Sequence, residues 1–150
     1  MKIPVNIHII SKRLTSDISR RGVEEHPEED VLSVSGTMKT TKEGFQIEYT
    51  EKGDDTFNTI NTFSDGTVSI NRVGALDSHM VYKLGKPHLC ICDTGFFPLQ
   101  MRISTKKLKN TLTLDGGILE IKYTVEIVGN LAEKNHLMFS VYPDISIIKS

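Results

Sequence analysis

Arg72, Tyr49, Tyr82 and Tyr123 are the polar residues whose setting in the sequence points most directly to binding chemistry. Arg72 follows Val68 and Ile70 at two-residue spacing, and Tyr49 follows Phe45 and Ile47. Tyr82 stands between Met80 and Leu84, and Tyr123 between Ile121 and Val125. Alternate residues of a strand share a face, so all four fall on the apolar, inward side. A guanidinium in that position is costly unless it is paired and hydrogen-bonded. It could hold a carboxylate or phosphate while the tyrosine hydroxyls fix the orientation of a small anionic or amphipathic molecule. The competing reading is structural. Arg72 would then end its strand by pairing with Glu51 or a backbone carbonyl, and the tyrosines would be core residues with satisfied hydroxyls.

A second constellation is His88-Leu89-Cys90-Ile91-Cys92, followed by Asp93. On a strand His88, Cys90 and Cys92 project to one face, and thiolate with imidazole suits zinc. The run lacks the knuckle turn of a Cys-x-x-Cys site, and His79 is the only evident fourth ligand, so no metal site is assigned. No base stands beside either cysteine in the sequence, as nucleophilic catalysis would need. The chain contains neither G-x-S-x-G nor H-E-x-x-H. Glu24-Glu25, Glu28-Glu29-Asp30 and Asp54-Asp55 are acid clusters without apolar context to raise a pKa. No catalytic residue and no cofactor are therefore assigned. Arg102, Lys106, Lys107, Lys109 and Lys122 could form a basic patch, but the aromatic residues share the buried parity. The patch reads as a solvated outer face, and no nucleic-acid partner is expected.

The elements that must position these residues are strands. Val5, Ile7 and Ile9 alternate with Asn6 and His8, and Leu119 to Ile127 repeats the pattern over its whole length. Similar runs surround Leu32, Phe45, Val68, Met80, Leu99 and Leu137. Asp65-Gly66, Gly85 and Asp115-Gly116-Gly117 fall between runs and supply tight turns. The apolar parity slips by one residue between Ile103 and Leu108, as a β-bulge produces. Residues 11–30, dense in charge, read as a long solvated loop, and residues 129–135 as one helical turn. The pattern predicts an all-β, antiparallel, up-and-down barrel of about eight to ten strands in one domain spanning residues 1–150.

The totals narrow the function classes. A chain of 150 residues can bury a core of its own without disulfide or metal staples. Eighteen basic against nineteen acidic side chains give a net charge of −1, so there is no general attraction to nucleic acid or anionic membranes. No segment approaches the ~20 apolar residues of a membrane helix, and the N-terminus lacks a signal peptide's apolar core. Cys90 and Cys92 would lie about 6.6 Å apart with parallel side-chain vectors, which disfavours a disulfide. These features predict a cytoplasmic protein with no membrane partner.

Residues 44–51 (GFQIEYTE), Arg72-x-Gly74, Met80-x-Tyr82, residues 103–108 (ISTKKL) and residues 116–127 (GGILEIKYTVEI) stand in this order along nearly the whole chain. In order and spacing they resemble the uncharacterised bacterial family typified by YwiB. The sequence departs from that family's pattern at residues 91–99, where an aromatic residue, Thr-Pro and a glycine turn would stand. The resemblance implies a calycin-like, lipocalin-type barrel and a bacterial cytosolic setting, and it implies no activity. The function expected is a non-enzymatic barrel that binds a small molecule near Tyr49, Arg72, Tyr82 and Tyr123. The alternative is a protein–protein interaction module using the charged segment 11–30 or an exposed strand edge.

Overall fold

The computed structural model describes residues 2–19, 22–53, 55–74, 77–93, 98–127 and 130–145. Ten antiparallel strands follow one another as β1 (Lys2–Ser19), β2 (Gly22–Thr40), β3 (Gly44–Thr50), β4 (Phe57–Phe63), β5 (Val68–Val73), β6 (Ser78–Tyr82), β7 (His88–Asp93), β8 (Pro98–Asn110), β9 (Gly117–Ile127) and β10 (Asn130–Pro143). Each pairs with the next, and β1 returns to β10, so the sheet closes into an up-and-down barrel. The zip is uneven. Between β6 and β7 the ladder is reduced to Ser78 opposite Cys92.

The turns use the residues the sequence marked. At the β4–β5 turn Gly66 has φ of 91°, and the Asp65 carboxylate accepts the Thr67 N–H at 2.9 Å. That hydrogen bond holds the Asp65 carboxyl below its ordinary value. Between β8 and β9, Gly116 and Gly117 have φ of 102° and 144°, where L side chains are strained. The parity slip in β8 is a register shift against β9 between Thr105 and Lys107. A second shift falls in β10 between Leu131 and Glu133.

Two expectations are corrected. Residues 11–19 and 22–30 are not loop; they are the outer halves of β1 and β2, paired through to Ser19 opposite Gly22. This arm needs no apolar alternation where water reaches both of its faces. Charge pairing helps it instead, with Arg13 Nη2 at 3.0 Å from Glu28 Oε2. The helical turn proposed for residues 129–135 is also absent from the described part: residues 130–135 belong to β10, and Glu133 and Asn135 continue the parity of Leu137, Phe139 and Val141 up to the register shift.

One end of the barrel is filled. Val5, Met38, Ile47, Ile60, Ile103 and Leu119 are at most 1 % exposed, and Leu112 folds in beneath them from the β8–β9 connection. On the outer face Glu120 ties three strands together. Its carboxylate accepts His136 Nε2 at 2.6 Å and meets Lys107 Nζ at 3.0 Å. Lys107 and then His136 hold the Glu120 carboxyl below its ordinary value.

Gly36 allows β2 to approach β3. A Cβ there would lie 2.3 Å from the Glu48 carbonyl oxygen. Gly36→Ala is therefore expected to cost on the order of 1–3 kcal/mol in urea unfolding; unchanged stability would show that the approach is not tight. A carboxyl with a lowered folded-state pKa stabilises above its unfolded value near 4.3 and loses that contribution as pH falls through the folded value. Glu120→Gln should thus flatten the fall of melting temperature below about pH 4.5. An acid limb identical to that of the parent protein would rule this out.

Candidate functional site

The other end of the barrel is hollow. A cavity of about 560 Å³ opens between the outer halves of the strands, within the range of roughly 300–1,000 Å³ typical of small-molecule sites. Ile9, Ile70, Met80, Met101, Leu137 and Phe139 give its wall an apolar surface, interrupted by polar groups. Its rim is polar and charged, with Ser11, Arg13, Asp30, Glu51, Arg72 and Glu133. This division follows from strand direction. Each inward row of aliphatic residues turns polar where its strand nears the mouth.

Tyr49, Arg72, Tyr82 and Tyr123 all line this one cavity. They are not equivalent. Tyr82 and Tyr123 stack across the barrel with ring centroids 4.7 Å apart, tilted by 59°. Their hydroxyls are hydrogen-bonded to each other, which leaves them less capacity for a ligand. Tyr49 is buried on β3 near the rim. Arg72 Nη2 lies 3.0 Å from Glu51 Oε2 with the guanidinium side chain half-exposed, so the pairing weighed from the sequence coexists with a place on the rim. Burial pushes all three phenols up; the Glu51 charge adds to the effect at Tyr49 and the neighbouring ring at Tyr82. They are neutral hydrogen-bonding groups near neutral pH.

Sequence reasoning missed three wall residues. Asn58 on β4 is 1 % exposed and donates from Nδ2 to the Thr56 carbonyl at 3.4 Å. Asn135 on β10 has a buried Nδ2 with no hydrogen-bond partner. Arg13 on β1 sits at the rim between Glu28 (3.0 Å) and Glu133 (3.6 Å). Extending the parity of Ile9 through Ser11, and of Leu137 back through two residues, would have found Arg13 and Asn135. An unpaired buried donor costs about 1–3 kcal/mol, which makes Asn135 the sharpest polar feature of the wall.

The histidine–cysteine run is split by the barrel. Cys90 is free and buried, and burial pushes its thiol up, away from nucleophilic character. His79 hydrogen-bonds through Nδ1 to Asn71 Oδ1 on the outer face. It therefore cannot join the inward His88 and Cys90. The side chains of Cys92 and Asp93, and all of residues 94–97 in the departing stretch, lie outside the described part. Among the described residues no three His, Cys, Asp or Glu gather as metal ligands. No helix there is long and apolar enough to cross a membrane.

The family described as Domain of unknown function (DUF1934) matches residues 13–139. No curated protein sequence matches the chain. The crystal structure of the ywiB protein from Bacillus subtilis superposes with a TM-score of 0.78 at 17 % identity, covering 95 % of this chain and 92 % of that one. At that identity the likeness is one of fold, and the fold is the barrel the sequence predicts.

Because Arg72 is half-exposed and paired in reach of water, its ion pair contributes little stability. Arg72→Met is expected to leave unfolding within about 1 kcal/mol of the parent protein. Denaturation by urea reads this; a loss well beyond that value would make Arg72 a structural residue.

Proposed function

The chain belongs to the DUF1934 family, and we propose that it is a non-enzymatic, calycin-like barrel that binds a small amphipathic molecule in its open end. The observation that carries this is the hollow mouth. It has a wall of aliphatic and aromatic side chains deep enough for an apolar body, and polar groups at its rim to hold a head. Charge refines the choice of ligand. Arg13 and Arg72 already face Glu28, Glu133 and Glu51, and Asp30 adds another carboxylate to the rim. A bare anion would meet neutralised guanidiniums, whereas an apolar chain with a hydrogen-bonding head uses both wall and rim. The neutral phenols and the raised thiol supply no base or nucleophile, which favours binding over catalysis. A free buried thiol also fits a reducing, cytoplasmic setting.

A second reading draws on a different feature. No described strand pairs with residues 22–35 of β2 on the side away from β1, because β3 joins only from Gly36 to Thr40. An unpaired edge can accept a strand from another chain. In this reading the acidic arm is a protein-interaction module. Deleting residues 15–26 and rejoining the strands by an Asn-Gly turn separates the two readings. Loss of a captured partner with ligand binding intact supports the arm.

For the first reading, dodecanoate and an anilinonaphthalenesulfonate dye are suitable probes by native mass spectrometry and fluorescence. Leu137→Trp should fill the cavity and weaken both by about ten-fold or more, or 1.4 kcal/mol. Undiminished binding to this variant would remove the mouth as the site.

A further inference from the structure

A second concave site lies outside the barrel. A groove of about 570 Å³ crosses the outer faces of β2, β1, β10, β9 and β8, lined by Lys12, Lys106, Lys122 and Lys134, with Glu28 and Glu29 at its β2 end. Leu14, Pro27 and Thr124 lie in it as well. The ladders place these residues in two neighbouring cross-strand rows. In one, Lys12 stands opposite His136, His136 opposite Lys122, and Lys122 opposite Lys107. In the other, Pro27, Leu14, Lys134 and Thr124 follow in order. Lys106 is the extra residue of the β8 bulge, which adds a cation at the end of the first row.

Like charges directly opposite in a sheet are destabilising. Arg13, Arg72, Lys83 and Lys107 each have a carboxylate within 4 Å. Lys12, Lys106, Lys122 and Lys134 have none among the described ion pairs, although Glu29 stands opposite Lys12 in the register. Glu120 is occupied by Lys107 and His136, and Glu28 by Arg13, which leaves Glu29 as the carboxylate lining the groove without a described ion pair. The lysine stems cover the apolar floor and carry their heads to the rim.

We infer that this groove is an anion site for a chain of linked phosphates, as in inorganic oligophosphate or the triphosphate of a nucleotide. Four ammonium groups spread over strands about 4.8 Å apart match an extended run of charge better than a single phosphate. Single-stranded nucleic acid is the less suited polyanion. The aromatic residue among the lining, Tyr123, points into the barrel with 9 % exposure, so bases would find no stacking platform.

The test is titration calorimetry of the full-length protein with tripolyphosphate and, separately, with a nucleoside triphosphate. Binding is expected at low ionic strength and should weaken sharply as salt approaches 0.2 M, where the Debye length falls to about 7 Å. The double variant Lys12→Gln/Lys122→Gln should bind about ten-fold or more weakly, while Arg72→Met and Leu137→Trp, in the separate mouth, should not change it. Equal affinity for both compounds supports recognition of the phosphates, and tighter nucleotide binding adds a contact on the apolar floor. The inference is overturned if neither compound binds at low salt, or if the lysine variant binds as well as the parent protein. It is also overturned if oligothymidylate binds more tightly per phosphate than tripolyphosphate, which would make the groove a nucleic-acid surface.

Discussion

The ladder between the first strand and the last, from Val5 opposite Pro143 to Thr15 opposite Glu133, gives every other element its place. Without it the sheet would present β1 and β10 as long free edges, with rows of unpaired N–H and C=O groups. With it, one face of every strand becomes an interior. The polarity of each inward side chain then decides which end is solid and which is open. Such a closure joins residues from opposite ends of the chain, so it is reached late and slowly in folding. Local hairpins must form first, and the glycine turns favour them.

Closure leaves two kinds of charged surface. At the mouth, Arg13 and Arg72 stand among three carboxylates, Asp30, Glu51 and Glu133, so both guanidiniums are neutralised before any molecule arrives. Across the outer face of β1, β10, β9 and β8, four lysines stand without such partners. This contrast is the basis for proposing an amphipathic ligand at the first surface and an anionic one at the second. The two are separated by the sheet itself, since Tyr123 and Asn135 point inward while Lys122, Lys134 and His136 point out. The long arm formed by residues 11–19 and 22–30 belongs to both surfaces. Arg13 lines both the mouth and the groove, and Lys12 lines the groove alone.

Two-residue alternation made much of this legible. It identified the inward face, the β8 bulge and the inward direction of Tyr49, Arg72, Tyr82 and Tyr123, because inward parity follows directly from the pleat; the hollow that they share is not encoded by alternation. It failed where burial no longer imposes a pattern. The described side chains of the arm, residues 11–16 and 25–30, are exposed or half-buried on both faces, so they carry no alternation, and the sequence resembled a loop. Inward polar residues such as Asn58, Asn135 and Arg13 break the apolar signal at the very positions that line the mouth. The contact between Tyr82 and Tyr123 was hidden for another reason: β6 and β9 face each other across the barrel, and no local pattern encodes which inward residues meet there. His79 illustrates the converse, a residue close in sequence to its supposed partners but on the opposite face of the sheet.

The central claim is that ligand enters the hollow end and lies against its inner wall. Methyl-detected NMR of the labelled protein titrated with dodecanoate tests this most directly. Binding in the hollow end gives saturable shifts at the inward methyls of Ile9, Ile70, Met80, Met101 and Leu137, with Leu89 and Ile91 on the outer face unmoved. Shifts confined to Leu89, Ile91 and other outward methyls, with the inner wall silent, would contradict it.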